Sequence, residues 1–410
     1  MAIQTRFLDS LRNPTFRLLW SSSLLQNICR NIQMILLSWL VLEITDSPVL
    51  VGGVQALRMV PNIFGVFGGI IADRIGDRRK LLFSIVSMNI VFSFIFGGLV
   101  LLQKIEVWHI VVLTLLQNTA NVLQMPTRQV FSIDILGAKR IPNAVTLNTL
   151  AFRLSSLIGS SLIGGLISSF GIGSFYVYTG LLYLVSSILL IFIKVKRESA
   201  PAMEKISILT DVREGLQYVK RSKEILGLQL IAVAANLFGF PLTNTLLPIF
   251  ARDVLLVGAD GLGWLISASS AGAFLSVMYI TLREPQRKGR FLTYSSIGWG
   301  LTLALLSFAR IFSMSSICLF AVGITNSMSM VMVSTLLMMF SVEQMRGRVM
   351  GVRMLAVFPL SIGNLLAGLL ANSIGVSATL FLQGVLFIAS VSGIFLYVPA
   401  LGTFRSHEAS

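Results

Sequence analysis

The stretch that decides the fold reads Gly69-Ile-Ile-Ala-Asp73-Arg74-Ile-Gly76-Asp77-Arg78-Arg79-Lys80 and joins two long apolar segments. Charge is rare elsewhere, since only 12% of the 410 residues are charged and 55% are hydrophobic. A soluble domain carries about 25% charged residues. These figures exclude a soluble globular protein, a disordered protein and a coiled coil, and they predict an all-α integral membrane protein.

The apolar segments on both sides of this stretch have the length of membrane-spanning helices. A run of about 20 apolar residues matches the hydrocarbon thickness of a bilayer. We predict twelve spans, at roughly 18–42, 49–72, 80–102, 107–130, 144–169, 174–193, 226–250, 260–282, 291–310, 314–340, 349–373 and 376–399. Because the number is even, both termini are expected on the same side.

The basic residues fall almost entirely on one side of these spans. With a cytoplasmic N-terminus, 26 of the 32 Lys and Arg residues lie in cytoplasmic segments and 3 in outside loops. Short cytoplasmic loops carry such an excess, so we expect both termini in the cytoplasm and the chain in the inner or plasma membrane. The net charge of +15 therefore needs no nucleic acid, which would require a solvated basic face. The isolated His and Cys residues predict no metal and no cofactor.

The two halves of the chain show an internal repeat. A shift of 204 residues aligns four glycine pairs, namely Gly159 with Gly363, Gly164 with Gly368, Gly171 with Gly375 and Gly180 with Gly384. Many transporters are built from such duplicated units, with the substrate site near the bilayer midplane. We therefore predict six-helix bundles at 1–193 and 226–410, joined by a cytoplasmic linker at 194–225.

The linker contains apolar residues at helical spacing: Leu209, Val212, Leu216 and Val219. This pattern predicts an amphipathic helix. Two interpretations stay open: the helix lies on the cytoplasmic membrane surface, or it is a solvated helix that ties the two halves together.

The charged loop at 69–80 has the features of a gate. Gly65 and Gly69 form a small-xxx-small face that lets a neighbouring helix approach closely, and Asp73 can accept hydrogen bonds from a helix N-terminus. The alternative is an ordinary basic loop. The residues of the predicted gate are Gly69, Asp73, Arg74, Gly76, Arg78 and Arg79.

Polar side chains recur at spacings of three, four and seven inside the apolar spans. Such stripes must avoid lipid, so they face protein or a water-filled cavity. The predicted cavity residues are Gln26, Arg30, Gln33, Gln55, Arg58, Asn62, Gln117, Asn121, Gln124, Arg153, Asn236, Asn244, Asn326 and Asn364. For any single Asn or Gln, interhelical hydrogen bonding is the alternative. Because no Asp or Glu lies at mid-depth, the three arginines predict a positive cavity and an anionic substrate group.

The charged loop fits a GxxxDRxGxRR pattern and resembles the signature of the major facilitator superfamily. Asp77 stands where that superfamily usually has a basic residue. Further stretches, among them Trp39-Leu-Val-Leu-Glu43 and Arg346-Gly-Arg-Val349, resemble the branch that contains the enterobactin exporter and the macrolide efflux proteins. This resemblance covers nearly the whole chain. It implies a twelve-helix exporter that alternates between inward-open and outward-open states and is usually driven by proton antiport.

The segment Gly159-Ser-Ser-Leu-Ile-Gly164-Gly165 resembles the glycine-rich motif of antiporters in this superfamily, with Ser160 in place of the usual proline. Glycines allow close helix packing. The predicted packing residues are Gly159, Gly164, Gly165, Gly363 and Gly368. Generic helix packing is the alternative interpretation.

Together these features predict a monomeric secondary transporter that exports a small amphiphilic compound, siderophore-like or antibiotic-like, with proton coupling. An importer, a facilitator or a lysolipid flippase on the same fold remains open, as does a non-transporting receptor or scaffold. An intramembrane enzyme would show paired carboxylates, a His cluster or a Ser–His set at helical spacing. The sequence shows none of these, so we expect no enzyme and no catalytic residue.

Overall fold

A computed structural model describes residues 9–64, 77–137, 141–193, 208–283, 285–342, 345–355 and 358–403. Within these ranges the regular structure is helical, and no residue lies in a β-strand. The prediction of an all-α protein is confirmed. Long apolar segments without surrounding water must satisfy their backbone hydrogen bonds internally, and a helix does this within one segment.

The α-helices of the first half are α1 (Pro14–Thr45), α2 (Pro48–Met59), α3 (Arg78–Leu101), α4 (Val107–Val122), α5 (Gln124–Leu136) and α6 (Ile141–Ile191). Those of the second half are α7 (Ile208–Arg221), α8 (Lys223–Ala234), α9 (Leu247–Asp253), α10 (Ala259–Arg283), α11 (Lys288–Leu306), α12 (Phe312–Phe340), α13 (Arg346–Leu355), α14 (Phe358–Ile374), α15 (Val376–Tyr397) and α16 (Ala400–Thr403). Short 3₁₀ helices lie at Asp9–Arg12 and Val60–Phe64.

Eight helices in the described ranges are long and apolar enough to cross a bilayer. The predicted second span, 49–72, continues into residues outside those ranges. The fifth and sixth spans belong to α6, which bends at Gly171. The ninth corresponds to α11, whose first half is rich in polar residues. The number of twelve spans therefore stays a prediction.

The predicted fourth span, 107–130, needs a correction. The structure has two helices here, α4 and α5, which meet at Leu123, and α5 continues to Leu136. Pro126 lies in the first turn of α5. A proline has no N–H to donate to the carbonyl four residues earlier, so the helical hydrogen-bond ladder is interrupted at this point.

A first compact unit comprises Met1–Thr45 and Val60–Pro201. Its centre is the pair α1 and α6, and α3 packs along the second part of α6. Gly97 and Gly173 allow this contact, since a Cβ atom on Gly97 would lie 3.1 Å from the carbonyl oxygen of Gly173. The apolar core includes Leu19, Val86 and Tyr183.

A second compact unit comprises Asp46–Met59 and Ala202–Ser410. Four helix pairs dominate it, namely α10 with α12, α11 with α12, α2 with α14, and α11 with α15. Glycines lie at each contact: a Cβ atom on Gly52 would stand 2.4 Å from the Asn364 carbonyl oxygen, and one on Gly384 would stand 2.7 Å from that of Gly300. Small residues are the usual means of helix packing in lipid, where apolar side chains gain little by leaving the tails.

The chain between α8 and α9 contains two π-helical turns, Ala235–Gly239 and Leu242–Leu246, on either side of Pro241. Proline removes one backbone donor, and the ladder widens around it. A Cβ atom on Gly363 of α14 would lie 2.6 Å from the Leu237 carbonyl oxygen. The widened turns of the second unit therefore lie directly against α14, and π-helical turns are frequent at functional sites.

The predicted linker helix is present as α7, and it packs on α13 within the second unit. Val219 is buried there, whereas Leu216 is exposed. A Cβ atom on Gly215 would lie 3.1 Å from the Arg348 carbonyl oxygen, so a glycine permits this close approach. Glu214 and Arg348 form an ion pair of 2.9 Å beside it. The side chains of Leu209 and Val212 lie outside the described part.

Candidate functional site

The predicted cavity residues are divided between the two units. Gln26, Arg30, Gln33, Asn62, Gln117, Asn121, Gln124 and Arg153 belong to the first unit, and Gln55, Arg58, Asn236, Asn244, Asn326 and Asn364 belong to the second. All of them except the exposed Asn62 are buried or half-buried. Each of the two units therefore has its own group of polar residues.

One set in the first unit is an interhelical hydrogen-bond network. The Gln33 amide nitrogen donates to Ser93 Oγ at 2.7 Å and to Thr179 Oγ1 at 2.9 Å. The Gln117 amide nitrogen donates to the Gln33 carbonyl oxygen at 2.9 Å. All four side chains are buried. Gln33 and Gln117 thus satisfy each other and connect α1, α3, α4 and α6, which supports the packing interpretation for this pair.

Asn121 has a similar environment. The Asn89 amide nitrogen donates to Asn121 Oδ1 at 2.9 Å and to the Ile85 carbonyl oxygen at 3.0 Å. Asn121 therefore joins α4 to α3. The amide oxygen of the buried Asn89 has no hydrogen-bond partner among the described atoms.

A second set in the first unit concentrates positive charge. Arg128 of α5 donates from Nη2 to Gln26 Oε1 at 2.5 Å, and the Gln124 amide nitrogen donates to the same oxygen. The Gln26 amide nitrogen donates in turn to Ser22 Oγ and Ser186 Oγ. Gln26 is therefore held by α6 on one side and presents its carbonyl oxygen to α5 on the other.

Arg30 lies one helical turn after Gln26 on α1, and its Nη2 donates to Asn27 Oδ1 at 3.1 Å. Arg128 reaches the same part of α1 from α5, because it donates to the side chain of Gln26. The Nε atom of Arg128 is buried without a hydrogen-bond partner among the described residues. Arg30, Arg128, Gln26 and Gln124 form what we call the two-arginine cluster.

The part of the chain that the structure describes offers the two-arginine cluster no carboxylate counterpart. Among the described residues, no Asp or Glu oxygen lies within 4.0 Å of a nitrogen of Arg30, Arg128 or Arg153. Arg153 resembles the cluster in one respect, because its Nε atom is also buried without a hydrogen-bond partner among the described atoms. Unpaired positive charge inside a protein is unfavourable in free energy, so these groups favour an anion.

Arg128 is the functional candidate that sequence reasoning misses, since the positive-inside count includes it among the cytoplasmic residues although it falls near the end of the predicted span 107–130. One signal could have found it: Gln117, Asn121, Gln124 and Arg128 recur at spacings of four, three and four. That stripe continues towards the predicted end of the span at 130, and α5 itself continues past it.

The candidates of the second unit lie around the π-helical turns. Asn236 and Asn244 lie within the turns themselves, and Asn364 Oδ1 accepts a hydrogen bond from Thr245 Oγ1 at 3.1 Å. The Asn364 amide nitrogen is buried without a partner in the described part of the chain. Arg58 is buried and contacts the Gln55 amide oxygen at 3.5 Å. The half-buried Asn326 lies on α12.

Only part of the predicted gate falls in the described ranges. Gly69, Asp73, Arg74 and Gly76 lie outside them. Arg78 forms an ion pair with Asp134 of α5 at 2.7 Å, and Arg79 Nη2 donates to the Ile191 carbonyl oxygen at 2.6 Å. The two arginines therefore connect the start of α3 to the ends of α5 and α6, all within the first unit.

Asp77, which departs from the superfamily pattern, has a local structural function. Its Oδ1 accepts a hydrogen bond from the backbone N–H of Lys80 at 3.1 Å, so Asp77 is the N-cap residue of α3. Asp is among the preferred N-cap residues, because its carboxylate satisfies a backbone donor that the helix leaves open.

The predicted packing glycines have different surroundings. Gly159 approaches α1, since its Cβ atom would lie 3.3 Å from the Ile28 carbonyl oxygen. Gly164 is buried and Gly165 is exposed. Gly363 lies against the π-helical turns and Gly368 against α2, where a Cβ atom would stand 2.5 Å from the Pro48 carbonyl oxygen.

Comparison with known protein families gives a match over nearly the whole chain. The sequence profile described as transmembrane secretion effector, of the major facilitator superfamily, matches residues 5–408. The uncharacterized MFS-type transporter YfiS of Bacillus subtilis (strain 168) is 28% identical over 346 residues, which cover 80% of this chain and 79% of the relative.

Two further relatives carry more specific names. The staphyloferrin A transporter of Staphylococcus aureus (strain NCTC 8325 / PS 47) is 22% identical, with 92% of this chain and 95% of the relative covered. The putative bacilysin exporter BacE of Bacillus subtilis (strain 168) is 24% identical, with 84% of each chain covered.

Solved structures with the same fold include the nucleoside transporter NupG, with a TM-score of 0.73 and 12% identity over 95% of this chain and 100% of that one. An auto-inhibited POT family peptide transporter has a TM-score of 0.78 and 10% identity over 96% of this chain and 98% of that one. At this level of identity the likeness concerns the fold alone, which is the major facilitator fold. The predicted fold class and superfamily are confirmed.

Proposed function

This chain belongs to the transmembrane secretion effector family of the major facilitator superfamily, and from that premise we propose that it exports a small amphiphilic, anionic compound across the plasma membrane. Family membership makes the protein a multi-pass membrane transporter and not an enzyme. Direction, substrate and energy coupling form the proposal. Export would proceed by alternating access, in which the binding site opens to one side of the membrane and then to the other.

The observation that carries the proposal is the two-arginine cluster. Arg30 and Arg128 lie in a polar region of the first unit, and the described residues offer them no carboxylate. An intramembrane ionisable residue is by default a functional site. A substrate that brings its own negative charge would compensate these arginines during binding, and an amphiphilic compound would fit the mainly apolar helices around them.

The names of two relatives support export of a compound of this kind. One relative is named as a staphyloferrin A transporter and another as a putative bacilysin exporter. A siderophore-like or antibiotic-like molecule is therefore our proposed class of substrate. The distribution of basic residues supports cytoplasmic termini, with the protein acting as a monomer.

Proton coupling is part of the proposal, and it needs an unusual carrier. The resemblance to the glycine-rich antiporter motif supports coupling, yet no Asp or Glu lies at mid-depth in the predicted spans. Coupling would then use carboxylates near the ends of the spans, or protons carried by the substrate itself.

Transport by the full-length protein in proteoliposomes tests the proposal. A screen across siderophores, macrolides, dyes and lysolipids, with and without an imposed pH gradient, should find an anionic compound that moves in the export direction and faster with the gradient. Arg30→Gln should reduce transport of that compound more than transport of a cationic dye. An equal loss of transport for the anionic compound and for the cationic dye would contradict the assignment of an anionic substrate.

The other outcomes of the same screen correspond to the open alternatives. Transport that ignores the pH gradient indicates a facilitator, net movement into the cell indicates an importer, and movement of lysolipids alone indicates a flippase. Stabilisation of the purified protein by a ligand that is never transported would indicate a receptor.

A further inference from the structure

We propose that the two-arginine cluster is a binding site for a doubly charged oxyanion, with Arg30 and Arg128 as its two cationic arms and carboxylates of the transported compound as its ligand. This inference rests on the proposed function and goes further, because it assigns the charge and chemistry of the group that binds. It also places Arg128 in the site in addition to Arg30.

The geometry supplies two arms from separate helices. Arg30 is on α1, one helical turn after Gln26, and Arg128 is on α5 and donates to Gln26 Oε1 at 2.5 Å. Repulsion between two like charges in a region of low dielectric constant raises the free energy of the empty site. An anion between them removes this repulsion, and a dianion compensates both charges.

The unused donors point to oxygen ligands. Arg128 uses Nη2 for Gln26, whereas its buried Nε has no hydrogen-bond partner among the described residues. Arg30 donates from Nη2 to Asn27. A guanidinium presents five N–H donors in a planar fork that matches a carboxylate or a phosphate. Each arginine of the cluster therefore keeps donors for a ligand.

Gln26 and Gln124 position Arg128. The carbonyl oxygen of Gln26 accepts from both side chains, and its amide nitrogen is fixed by Ser22 and Ser186. Gln26 and the partners that fix its amide are all buried, so the acceptor that orients Arg128 has little freedom to move. A preorganised arginine loses less conformational entropy when it binds an anion.

No described carboxylate oxygen lies within 4.0 Å of a nitrogen of Arg30 or Arg128. Asp134, which is on the same helix as Arg128, is paired with Arg78 at 2.7 Å. No group of three or more metal-binding side chains occurs within the described residues. The site is accordingly suited to a free oxyanion.

Isothermal titration calorimetry with glutarate as the probe tests the site without requiring transport. The full-length protein in a neutral detergent at pH 7 should bind glutarate, a dianion, and should not bind glutaramide, its neutral diamide. Arg30→Gln and Arg128→Gln should each weaken glutarate binding by about tenfold or more, because each removes a charge-assisted pair. Arg353→Gln is the matched control, since Arg353 is a half-buried arginine of the second unit that donates to Ser334.

Arg128→Lys distinguishes the effect of the positive charge on glutarate binding from the effect of the planar guanidinium group. It should fold like the wild type and bind glutarate with an intermediate affinity, because lysine keeps the charge and loses bidentate geometry. Binding that is equal in the wild type and in Arg128→Gln would overturn the proposal, as would glutaramide binding as well as glutarate.

The source of the anion is a separate arm of the experiment. The protein in nanodiscs of neutral lipid is compared with nanodiscs that contain phosphatidylglycerol. If phosphatidylglycerol abolishes glutarate binding in the wild type, the cluster is a lipid headgroup site, and its assignment to the transported compound is wrong.

Export of a neutral or cationic compound with no glutarate binding would overturn this inference and leave export as the function. Glutarate binding by a protein that transports no compound would support this inference and overturn export as the function.

Discussion

Arg78 and Asp134 form an ion pair of 2.7 Å that connects the first residue of α3 to α5. The Arg78 and Asp134 side chains are 18% and 27% exposed, so water screens only part of their attraction. Arg78 belongs to the charged loop that decides the fold, and α5 carries Arg128 six residues before Asp134. The ion pair therefore connects the predicted gate to the helix that bears one arm of the two-arginine cluster.

Asp134→Asn is predicted to change transport more than stability. The loss of a partly exposed ion pair should lower the free energy of unfolding by less than about 1 kcal/mol. The same energy lost in only one transport state would shift the balance between states by about fivefold. Transport rates in proteoliposomes and melting temperatures of the purified variant measure the two effects. The charge-swapped protein, Arg78→Asp with Asp134→Arg, should recover part of the rate, and no recovery would count against a gating function.

The N-cap at Asp77 gives a prediction about stability. Asp77→Ala should lower the free energy of unfolding by about 1 kcal/mol, because the Lys80 N–H loses its acceptor, while Asp77→Asn should have almost no effect. Asp77→Arg restores the superfamily pattern, and it should still destabilise, since a cation at a helix N-terminus is unfavourable. Thermal unfolding of the three variants checks this order. A stabilising Asp77→Arg would show that the superfamily charge pattern outweighs the cap.

The all-α architecture could be predicted from sequence, because long apolar segments admit few structures besides helices. The positions of individual side chains could not. The positive-inside rule counts Arg128 with the cytoplasmic residues, because it uses position along the chain and ignores side-chain direction. In a helix each side chain is directed towards the N-terminus, so an arginine in α5 reaches back to Gln26.

The polar stripes also show that spacing along the chain does not predict the contacts of a side chain. Gln33, Gln117 and Gln26 occur in equivalent patterns of spacing, and periodicity alone assigns all three to the cavity. Gln33 and Gln117 instead hydrogen-bond to each other, while Gln26 contacts an arginine. The difference depends on which helices are neighbours, and spacing within one helix contains no information about that.

Close glycine contacts predict large effects of single methyl groups. A Cβ atom on Gly323 would lie 1.9 Å from the Ser269 carbonyl oxygen, and one on Gly272 would lie 2.1 Å from that of Phe320. Backbone atoms cannot turn aside, so Gly323→Ala should separate α10 from α12 and destabilise the protein by about 3 kcal/mol or more. Gly98→Ala is the control, because no atom of a neighbouring helix lies within 4 Å of the place that its methyl group would take, and alanine should stabilise the helix by up to about 1 kcal/mol. Thermal unfolding in detergent should give Gly323→Ala a lower melting temperature than the wild type and Gly98→Ala a higher one.

The packing of α7 on α13 predicts a change in protease sensitivity. Gly215→Leu would place a side chain against Val352 and the Arg348 carbonyl oxygen, which lie 3.0 and 3.1 Å from the Cβ position. We expect α7 to detach and trypsin to cleave faster after Lys220 and Arg221. Gln217→Leu, at an exposed position of the same helix, should leave the cleavage rate unchanged. Equal rates in both variants would mean that α7 is held mainly by Val219 and not by the glycine contact.

Substitutions at Gln33 and Gln26 should distinguish helix packing from anion binding inside the first unit. Gln33→Leu should lower the free energy of unfolding by about 1–3 kcal/mol, because the buried Gln117 amide loses its acceptor, and the affinity for glutarate should not change. Gln26→Leu removes the acceptor that orients Arg128, so it should weaken glutarate binding as well as stability. Calorimetry and thermal unfolding of both variants give the comparison. If Gln33→Leu reduced glutarate affinity as strongly as Gln26→Leu, the two polar sets would act as one site, and the Gln33 network would be a functional part of the two-arginine cluster.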